Sequence, residues 1–262
     1  MKIGGKNYIK KIFKQQKQKK MEKIILSVCI PTYEMHGKAK ELLTRSFDML
    51  KKQTCKDFEV IISDNSEDDV VKNLCENPIY KFLNIKYVRN PKKGASRNMN
   101  ESIKKASGKL IKILHMDDYL SNENSLQSII DNFKGNWLVT GCGHDKGNGK
   151  IIKPHFPVYN KKIYLGKNTI GAPSVLTIKN EDHLMFDDIL IWLNDCDYYK
   201  RLYDKYGEPD ILNEINVIIG LGKHQTTSSL SNKIKKDEKK YLKKKYMKKK
   251  GYKNWLLKLF KL

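Results

Sequence analysis

The 262-residue sequence predicts an α/β fold built on a doubly wound, mostly parallel sheet. Short apolar runs rich in β-branched residues alternate with segments of helical periodicity over residues 24–133. The connections between them are short, which favours neighbouring parallel strands covered by helices. Polar clusters follow several of the runs, at the sheet edge where open α/β sheets bind ligands. A chain of this length can form one large domain with appendages.

The hydrophobic pattern gives the elements in chain order. Ile24–Ile30 is predicted to be a buried strand that Pro31 ends, and Lys38–Gln53 has the apolar spacing of one helix face. The elements predicted after these are strand Phe58–Ser63, helix Val70–Phe82, strand Ile85–Arg89, helix Ala95–Ala106, strand Leu110–Leu114, helix Ser121–Phe133, strand Asn136–Cys142, strand Pro173–Ile178 and helix Asp195–Tyr206. The stretches 143–172 and 207–232 are predicted to be loop-rich.

The net charge of +23 is concentrated at the two ends of the chain. Residues 1–23 contain nine lysines and one glutamate, and residues 233–262 contain fourteen lysines, one aspartate and one glutamate. The body, residues 24–232, is nearly balanced at +3, so we expect no specific nucleic-acid groove in it. The pattern predicts a basic arm, a globular domain over 24–232 and a basic tail that meets an anionic surface.

The five cysteines are scattered and include no Cys-x-x-Cys pair. We therefore expect neither a disulfide framework nor a zinc site, and a reducing compartment. No apolar stretch is long enough to span a bilayer, and the basic N-terminus lacks the apolar segment of a signal peptide. These features predict a cytoplasmic protein.

Two adjacent carboxylates, Asp117 and Asp118, follow the apolar run Leu110–Leu114. Neighbouring carboxylates repel each other unless a cation or hydrogen-bond donors lie between them. Hard oxygen ligands suit Mg²⁺ or Mn²⁺, and these ions usually arrive with a phosphate group. The alternative is that an aspartate caps the helix predicted from Ser121. The pair alone does not decide between these two interpretations.

Several motifs occur in a specific order. Ser27–Glu34, Phe58–Ser66, Arg89-Asn90 and Gly94–Asn98 precede the Asp-Asp pair. Together they resemble the N-terminal half of a family 2 glycosyltransferase with the GT-A fold, and the resemblance extends over residues 24–225. It implies a GT-A-type sheet flanked by helices, with a nucleotide-binding half at 24–120 and an acceptor half at 121–232. It also implies an inverting enzyme that uses a nucleotide-sugar.

The resemblance assigns five residues to the nucleotide. Thr32, Tyr33 and Glu34 would hold the base and ribose, Asp64 would accept from the uracil N–H, and Arg97 would meet the base or phosphates. Each assignment has an alternative. Thr32, Tyr33 and Glu34 would form an ordinary turn that ends the strand. Asp64 would form an Asx turn, and Arg97 would be a solvated charge.

The metal motif of the family is commonly Asp-x-Asp-Asp, whereas here the first position is His115. The resemblance implies that Asp118 ligates Mn²⁺ or Mg²⁺ and that Asp117 contacts the ribose and supports the metal. His224 resembles a late histidine that contacts the diphosphate or the metal. His115 is a further possible ligand, although a single histidine at a strand end is more often structural.

The stretch Trp192–Leu202 resembles the acidic motif that carries the catalytic base in the family. Alignment on Arg201-Leu202 puts Asp195 at the base position, with Asn194 where a glutamate is usual. Asp197 is about 200° further round the helix. The alternative is that Asp195 only caps the helix.

The basic tail ends in a segment with an amphipathic pattern. Residues 252, 255, 256, 259 and 262 are aromatic or leucine and share one helical face, while lysines occupy other positions. This pattern is typical of a helix that lies in a membrane interface, and the alternative is a helix packed on the domain. We expect a peripheral protein at the inner face of the cell membrane.

The sequence thus predicts a metal-dependent glycosyltransferase that moves a sugar from a UDP-linked donor to a hydroxyl of a saccharide or lipid-linked acceptor, in polysaccharide or glycolipid synthesis. A nucleotidyltransferase would need a Gly-rich, Arg-bearing loop after the first strand, and Pro31–Gly37 has none. A second alternative is a non-catalytic scaffold whose tails bind anionic lipid or RNA, because His115 and Asn194 depart from the family motifs.

Overall fold

The computed structural model describes residues 24–222 and 230–259, with side chains described up to Met247. Its strands are β1 Leu26–Thr32, β2 Phe58–Asp64, β3 Ile85–Arg89, β4 Leu110–Ile113, β5 Tyr119–Leu120, β6 Trp137–Asp145, β7 Ile152–His155, β8 Leu176–Lys179 and β9 Asp210–Gly220. In this part of the chain they form one sheet in the order β3-β2-β1-β4-β8-β6-β9-β5, and β7 pairs with β6.

The α-helices connect and cover these strands. They are α1 Ala39–Lys52, α2 Val70–Cys75, α3 Ala95–Lys105, α4 Ser125–Asn132, α5 Asn194–Tyr206 and α6 Asn232–Leu259. In α1 the apolar residues recur at helical spacing, and Leu43, Phe47 and Leu50 are fully or almost fully buried. Helix α3 contacts β1 and β2, and α4 contacts β9.

The two halves of the sheet differ in strand direction. Strands β3, β2, β1 and β4 are parallel, as the alternating pattern predicts. Strand β8 is antiparallel to β4 and to β6, whereas β9 is parallel to β6. Thr32 pairs with Asp64, and Asp64 pairs with Arg89, so the carboxyl ends of β1, β2 and β3 are level at one edge. Polar side chains that follow these strands are thereby brought together.

Four local predictions were wrong. Pro31 lies within β1 rather than ending it. Strands β7 and β9 lie inside the stretches 143–172 and 207–232, which were predicted to be loop-rich. The helix that begins at Val70 ends at Cys75, and a 3₁₀ turn at Pro78–Tyr80 follows. Pro78 disfavours the helical conformation at the residue before it, which explains the early end.

Helix α6 packs its first half onto the domain. Leu242 is 0% exposed and Tyr246 is buried. Lys245 forms ion pairs with Asp187 at 2.7 Å and with Asp197 at 2.8 Å. Residues 232–247 are therefore part of the folded body. The amphipathic pattern at 252–262 and the arm at 1–23 lie outside the described side chains.

Replacing Leu242 by alanine is expected to lower the free energy of unfolding by about 2–5 kcal/mol, because a fully buried leucine leaves a cavity. Met247→Ala is the matched control on the same helix, since Met247 is 59% exposed. Urea denaturation measures both variants. If both substitutions lowered the free energy of unfolding by the same small amount, α6 would not be packed on the domain in solution.

Over the described residues, none of the helices combines the length and the apolar character that crossing a bilayer requires.

Candidate active site

A cavity of about 470 Å³ lies at the carboxyl-end edge of the parallel strands, between β1, β4 and the start of α5. Five of the residues predicted to form a site line its wall, namely Tyr33, Glu34, Asp117, Asp118 and Asp195. Asp195 follows Asp118 by more than seventy positions in the chain. Helix α5, from the second half of the chain, therefore brings another acidic group to the edge where the parallel strands end.

Asp118 is 2% exposed and held by two donors. Its Oδ2 accepts from the Ser174 hydroxyl at 2.5 Å, and its Oδ1 accepts from the Gly220 backbone N–H at 2.9 Å. The Ser174 oxygen also accepts from the backbone N–H of His115 at 2.8 Å. The segment before β8 and the end of β9 thus fix the loop that carries the acidic pair.

His115, Asp117 and Asp118 each offer one ligand atom, and these three atoms lie within 4.8 Å of one another. Burial raises the pKa of the Asp118 carboxyl well above its usual range, and the negative charge of Asp117 raises it further. Burial lowers the pKa of the His115 imidazole, which favours its neutral, ligating form. A divalent cation would offset the repulsion between the carboxylates, so this donor set fits a metal.

The backbone of Asp117 is closely packed. Its carbonyl oxygen accepts from Arg45 Nη2 at 2.5 Å, and the guanidinium of Arg45 stacks over the Tyr119 ring at 4.3 Å. A Cβ built on Gly220 would lie 2.2 Å from the same carbonyl oxygen. Glycine at position 220 therefore allows β9 to approach the loop closely enough to bind Asp118.

Asp195 lies in the first turn of α5 and faces the cavity. Its Oδ2 accepts from Asn168 Nδ2 at 2.7 Å, and its Oδ1 accepts from the Cys196 backbone N–H at 2.6 Å. Burial raises the pKa of the Asp195 carboxyl to about 6, although these hydrogen bonds oppose the increase. A carboxylate with a pKa close to neutral is suited to general base catalysis.

Asp197 points away from the cavity, as its helical position predicts. It is fully buried and accepts from Arg201 Nε at 2.7 Å and from the Tyr246 hydroxyl at 2.6 Å. The contacts with Tyr246 and Lys245 join α5 to α6. Asp197 therefore supports the fold, while Asp195 is the carboxylate that reaches the cavity.

Tyr33 and Glu34 line the cavity next to the acidic pair. Burial raises the pKa of the Tyr33 phenol, and the negative charges of Asp117 and Glu34 add to this effect. The Glu34 Oε2 atom is buried and has no hydrogen-bond partner among the described residues. A buried acceptor of this kind is costly unless a donor reaches it, so a bound ligand with an N–H or O–H group would suit the position.

Thr32 and Asp64 are buried behind the cavity wall rather than in it. Asp64 Oδ1 accepts from the backbone N–H and the hydroxyl of Ser66, and Oδ2 accepts from the Tyr87 hydroxyl at 2.7 Å. Thr32 Oγ1 lies 3.2 Å from Asp64 Oδ1. The geometry at Asp64 is that of the Asx turn considered as its alternative. Nucleotide contact by these two residues stays a prediction.

A further predicted residue, Arg97, is not among those that line the main cavity. Arg97 Nε lies 3.5 Å from Asp188 Oδ2, beside a smaller cavity of about 240 Å³. Its contact with a nucleotide also stays a prediction. His224 lies outside the described residues.

Sequence reasoning missed Arg45, Asn168 and Glu238, which hold the loops of the site. Arg45 bonds a residue 72 positions away and Asn168 bonds one 27 positions away. Glu238 bonds backbone groups 45 to 47 positions away. No local pattern marks such partners, because only the fold brings them together.

The open α/β sheet, with acidic groups over a cavity at the carboxyl ends of its parallel strands, defines a class of protein that binds ligands at this edge of the sheet. Comparison with known proteins identifies the family to which the chain belongs. The chain belongs to glycosyl transferase family 2, whose model matches residues 27–175. The predicted family resemblance is thereby confirmed.

Two curated relatives carry names that describe transfer to lipid-linked sugars. The GalNAc(5)-diNAcBac-PP-undecaprenol beta-1,3-glucosyltransferase of Campylobacter jejuni is 33% identical over 97 residues, which are 36% of this chain and 30% of that protein. The UDP-Glc:alpha-D-GlcNAc-diphosphoundecaprenol beta-1,3-glucosyltransferase WfgD of Escherichia coli is 27% identical over 194 residues, 66% of this chain and 70% of that protein.

Among solved structures, S. aureus TarS 1-349 in complex with UDP-GlcNAc is similar in fold. The TM-score is 0.58 at 18% identity, and the match covers 79% of this chain and 61% of that chain. The predicted GT-A-type fold class is thereby confirmed. The chain spans less than a third of the C. jejuni relative's length.

Proposed function

We propose that this protein is an inverting, metal-dependent glycosyltransferase that moves a sugar from a UDP-linked donor to a hydroxyl of a lipid-linked saccharide. One observation carries the proposal. A single cavity contains both the His115, Asp117 and Asp118 cluster and the Asp195 carboxylate with its raised pKa. Family membership and the printed names of the relatives support the same activity.

His115, Asp117 and Asp118 would hold the divalent cation. Carboxylates suit Mg²⁺ and Mn²⁺ alike, whereas an imidazole nitrogen suits a transition metal, so we favour Mn²⁺. When bound, such a cation acts as a Lewis acid that stabilises the negative charge on a departing nucleoside diphosphate. Ser174 and Gly220 would orient Asp118 for this role through their hydrogen bonds.

Asp195 would act as the general base. It would accept the proton of the acceptor hydroxyl as that oxygen attacks the anomeric carbon of the donor sugar. The bond from the anomeric carbon to the leaving diphosphate breaks in the same displacement, which inverts the anomeric configuration. Asn168 keeps the Asp195 carboxylate oriented towards the cavity.

Tyr33 and Glu34 would form the near side of the nucleotide site. The buried Glu34 Oε2 atom offers an acceptor for a base N–H or a ribose hydroxyl, and the Tyr33 ring offers an apolar surface beside it. Contact of Thr32, Asp64 and Arg97 with the nucleotide, which the family motifs imply, is part of this proposal.

The acceptor would be presented at the cytoplasmic face of the membrane, for synthesis of a cell-surface polysaccharide or glycolipid. The printed names of both relatives include an undecaprenol-linked diphosphate. The lysine-rich helix α6 supplies charge that attracts anionic lipid, at about 1 kcal/mol for each lysine near the surface.

Calorimetric titration of UDP, with Mn²⁺ and with EDTA, tests the site. We expect UDP affinity to fall by at least about tenfold in EDTA or in Asp118→Asn, because Asp118 would bind the metal that the diphosphate contacts. Asp131→Asn is the matched control, since Asp131 is exposed on α4 and outside the cavity.

UDP binding that is insensitive to EDTA would refute metal dependence. If UDP, GDP and dTDP all failed to bind, the non-catalytic scaffold would become the better interpretation.

A further inference from the structure

The loop over residues 186–193 leads into α5 and forms part of the cavity wall. Ile191 and Trp192 line the cavity on this loop, and Asn194 and Asp195 line it at the start of α5. Residues 186–193 form no regular secondary structure, so contacts with other elements must hold them. Under the proposed function this wall faces the acceptor, because Asp195 would take the proton of the acceptor hydroxyl.

Glu238 of α6 holds the last three positions of this loop. Its carboxylate accepts from the backbone N–H groups of Ile191 at 2.7 Å, Trp192 at 3.0 Å and Leu193 at 2.8 Å. Glu238 is only 7% exposed. Hydrogen bonds to an ionised acceptor are stronger than those between neutral groups, so this carboxylate restrains three consecutive peptide units. Asp195 is two residues further along the chain, and its position therefore depends on this restraint.

Other contacts of α6 reach the segments around Asp195. The Tyr246 hydroxyl donates to Asp197 Oδ1 on α5 at 2.6 Å. The Tyr246 ring packs against the ring of Tyr164, with the centroids 5.1 Å apart. Tyr164 belongs to a 3₁₀ turn shortly before Asn168, whose side-chain amide donates to the Asp195 carboxylate. Helix α6 therefore contacts segments on both sides of the candidate base.

The acidic cluster is held by other elements. Asp118 accepts from Ser174, before β8, and from Gly220 at the end of β9. The carbonyl oxygen of Asp117 accepts from Arg45 on α1. Loss of a contact made by α6 should therefore disturb the Asp195 side of the cavity and leave the nucleotide side intact.

We propose that Glu238 is a positioning residue for sugar transfer. It fixes residues 191–193 and, through them, the first turn of α5, so that the Asp195 carboxylate is directed at the acceptor hydroxyl. The inference rests on the proposed function, which it makes more specific. Glu238 lies outside residues 27–175, which the family model matches. Helix α6 thereby becomes part of the reaction site.

Glu238→Ala, Glu238→Gln and Tyr241→Phe test the proposal in the full-length protein, with UDP-glucose as donor and GlcNAc-diphosphoundecaprenol as acceptor. We expect Glu238→Ala to lower kcat by up to about 100-fold, as a misplacement of about 1 Å does. UDP affinity in Mn²⁺ should stay within about twofold, since the acidic cluster keeps its own contacts. Glu238→Gln keeps one acceptor oxygen and should recover part of the rate. Tyr241→Phe is the matched control, because it removes only a 2.9 Å hydrogen bond to Asp187 in the same loop.

Backbone hydrogen exchange, followed by mass spectrometry, locates the effect in the chain. In Glu238→Ala the peptide over 190–197 should exchange about tenfold faster, because three N–H groups lose their acceptor. A peptide over 240–247 should stay as protected as in the wild type. Equally faster exchange of both peptides would mean that α6 is no longer packed on the domain, and would overturn a specific role of Glu238.

Unchanged exchange over 190–197, or an unchanged kcat in Glu238→Ala, would also overturn the proposal. An equal loss of kcat in Tyr241→Phe would do the same. Failure of the proposed function would appear in the wild type instead, which would then neither bind UDP nor transfer glucose. The exchange of 190–197 in Glu238→Ala would still decide whether Glu238 holds the loop.

Discussion

Asp195→Asn is expected to lower the rate of sugar transfer about 10³-fold, within the range that general base catalysis contributes. The asparagine amide has the size of the aspartate and keeps an oxygen that accepts from the Cys196 backbone N–H. It does not act as a base near neutral pH. UDP binding should stay within twofold of the wild type, because the nucleotide would be held by Tyr33, Glu34 and the acidic cluster. Steady-state transfer to a lipid-linked acceptor and UDP calorimetry measure the two effects.

The pH profile provides a second readout for Asp195. The base acts in its ionised form, and burial raises the pKa of this carboxyl to about 6. Transfer should therefore fall as the pH decreases below about 6 and reach a plateau above about 7. Asp204→Asn is the control on the same helix, because Asp204 is exposed and pairs with Lys200. An Asp195→Asn enzyme with near-normal transfer would exclude Asp195 as the base.

Gly220→Ala is expected to have the second large effect. Its Cβ would lie 2.2 Å from the carbonyl oxygen of Asp117, a backbone atom that Arg45 also holds. Relief of this overlap moves β9 away from the loop and breaks the Gly220 hydrogen bond to Asp118. We expect UDP affinity in Mn²⁺ to fall at least about tenfold, and the free energy of unfolding to fall by about 1–3 kcal/mol.

The control for this substitution is Gly135→Ala, where the nearest atoms to a new Cβ belong to the Asp210 side chain at 3.4 Å. A flexible side chain at that distance can adjust, so the control should change UDP binding and stability little. Calorimetry and urea denaturation apply to both variants. If Gly220→Ala bound UDP normally, close approach of β9 to the acidic loop would not be required for the site.

The sequence predicts the first half of the fold well, because β1, β2 and β4 are uninterrupted buried runs. Strand β9 was missed since Asn213, Glu214 and Asn216 interrupt its apolar residues, and part of it is exposed. Strand β7 was missed because Pro154 lies within it. Both strands pair with β6, which is distant in sequence from much of β9. The local hydrophobic pattern carries no information about such pairing.

Part of the candidate site was also predictable from the sequence and part was not. Asp117, Asp118 and Asp195 were identified from motifs and share one cavity. Asp64 was assigned to the nucleotide from its motif, and its oxygens accept from Ser66 and Tyr87; its contact with a nucleotide stays a prediction. A motif indicates which side chain is present, whereas its orientation depends on the neighbours that the fold supplies.

Helix α6 combines two kinds of constraint within the same turns, and this affects how its sequence can vary. Glu238, Leu242 and Tyr246 recur every four residues on the face that meets the domain, and all three are buried. Substitutions there must preserve shape and hydrogen bonding. Lys240 and Lys244 face solvent and need only preserve charge, so arginine should be acceptable at both. We therefore expect this lysine-rich segment to accept substitutions at its exposed positions. We expect it not to accept them at every fourth position, where Glu238, Leu242 and Tyr246 are buried.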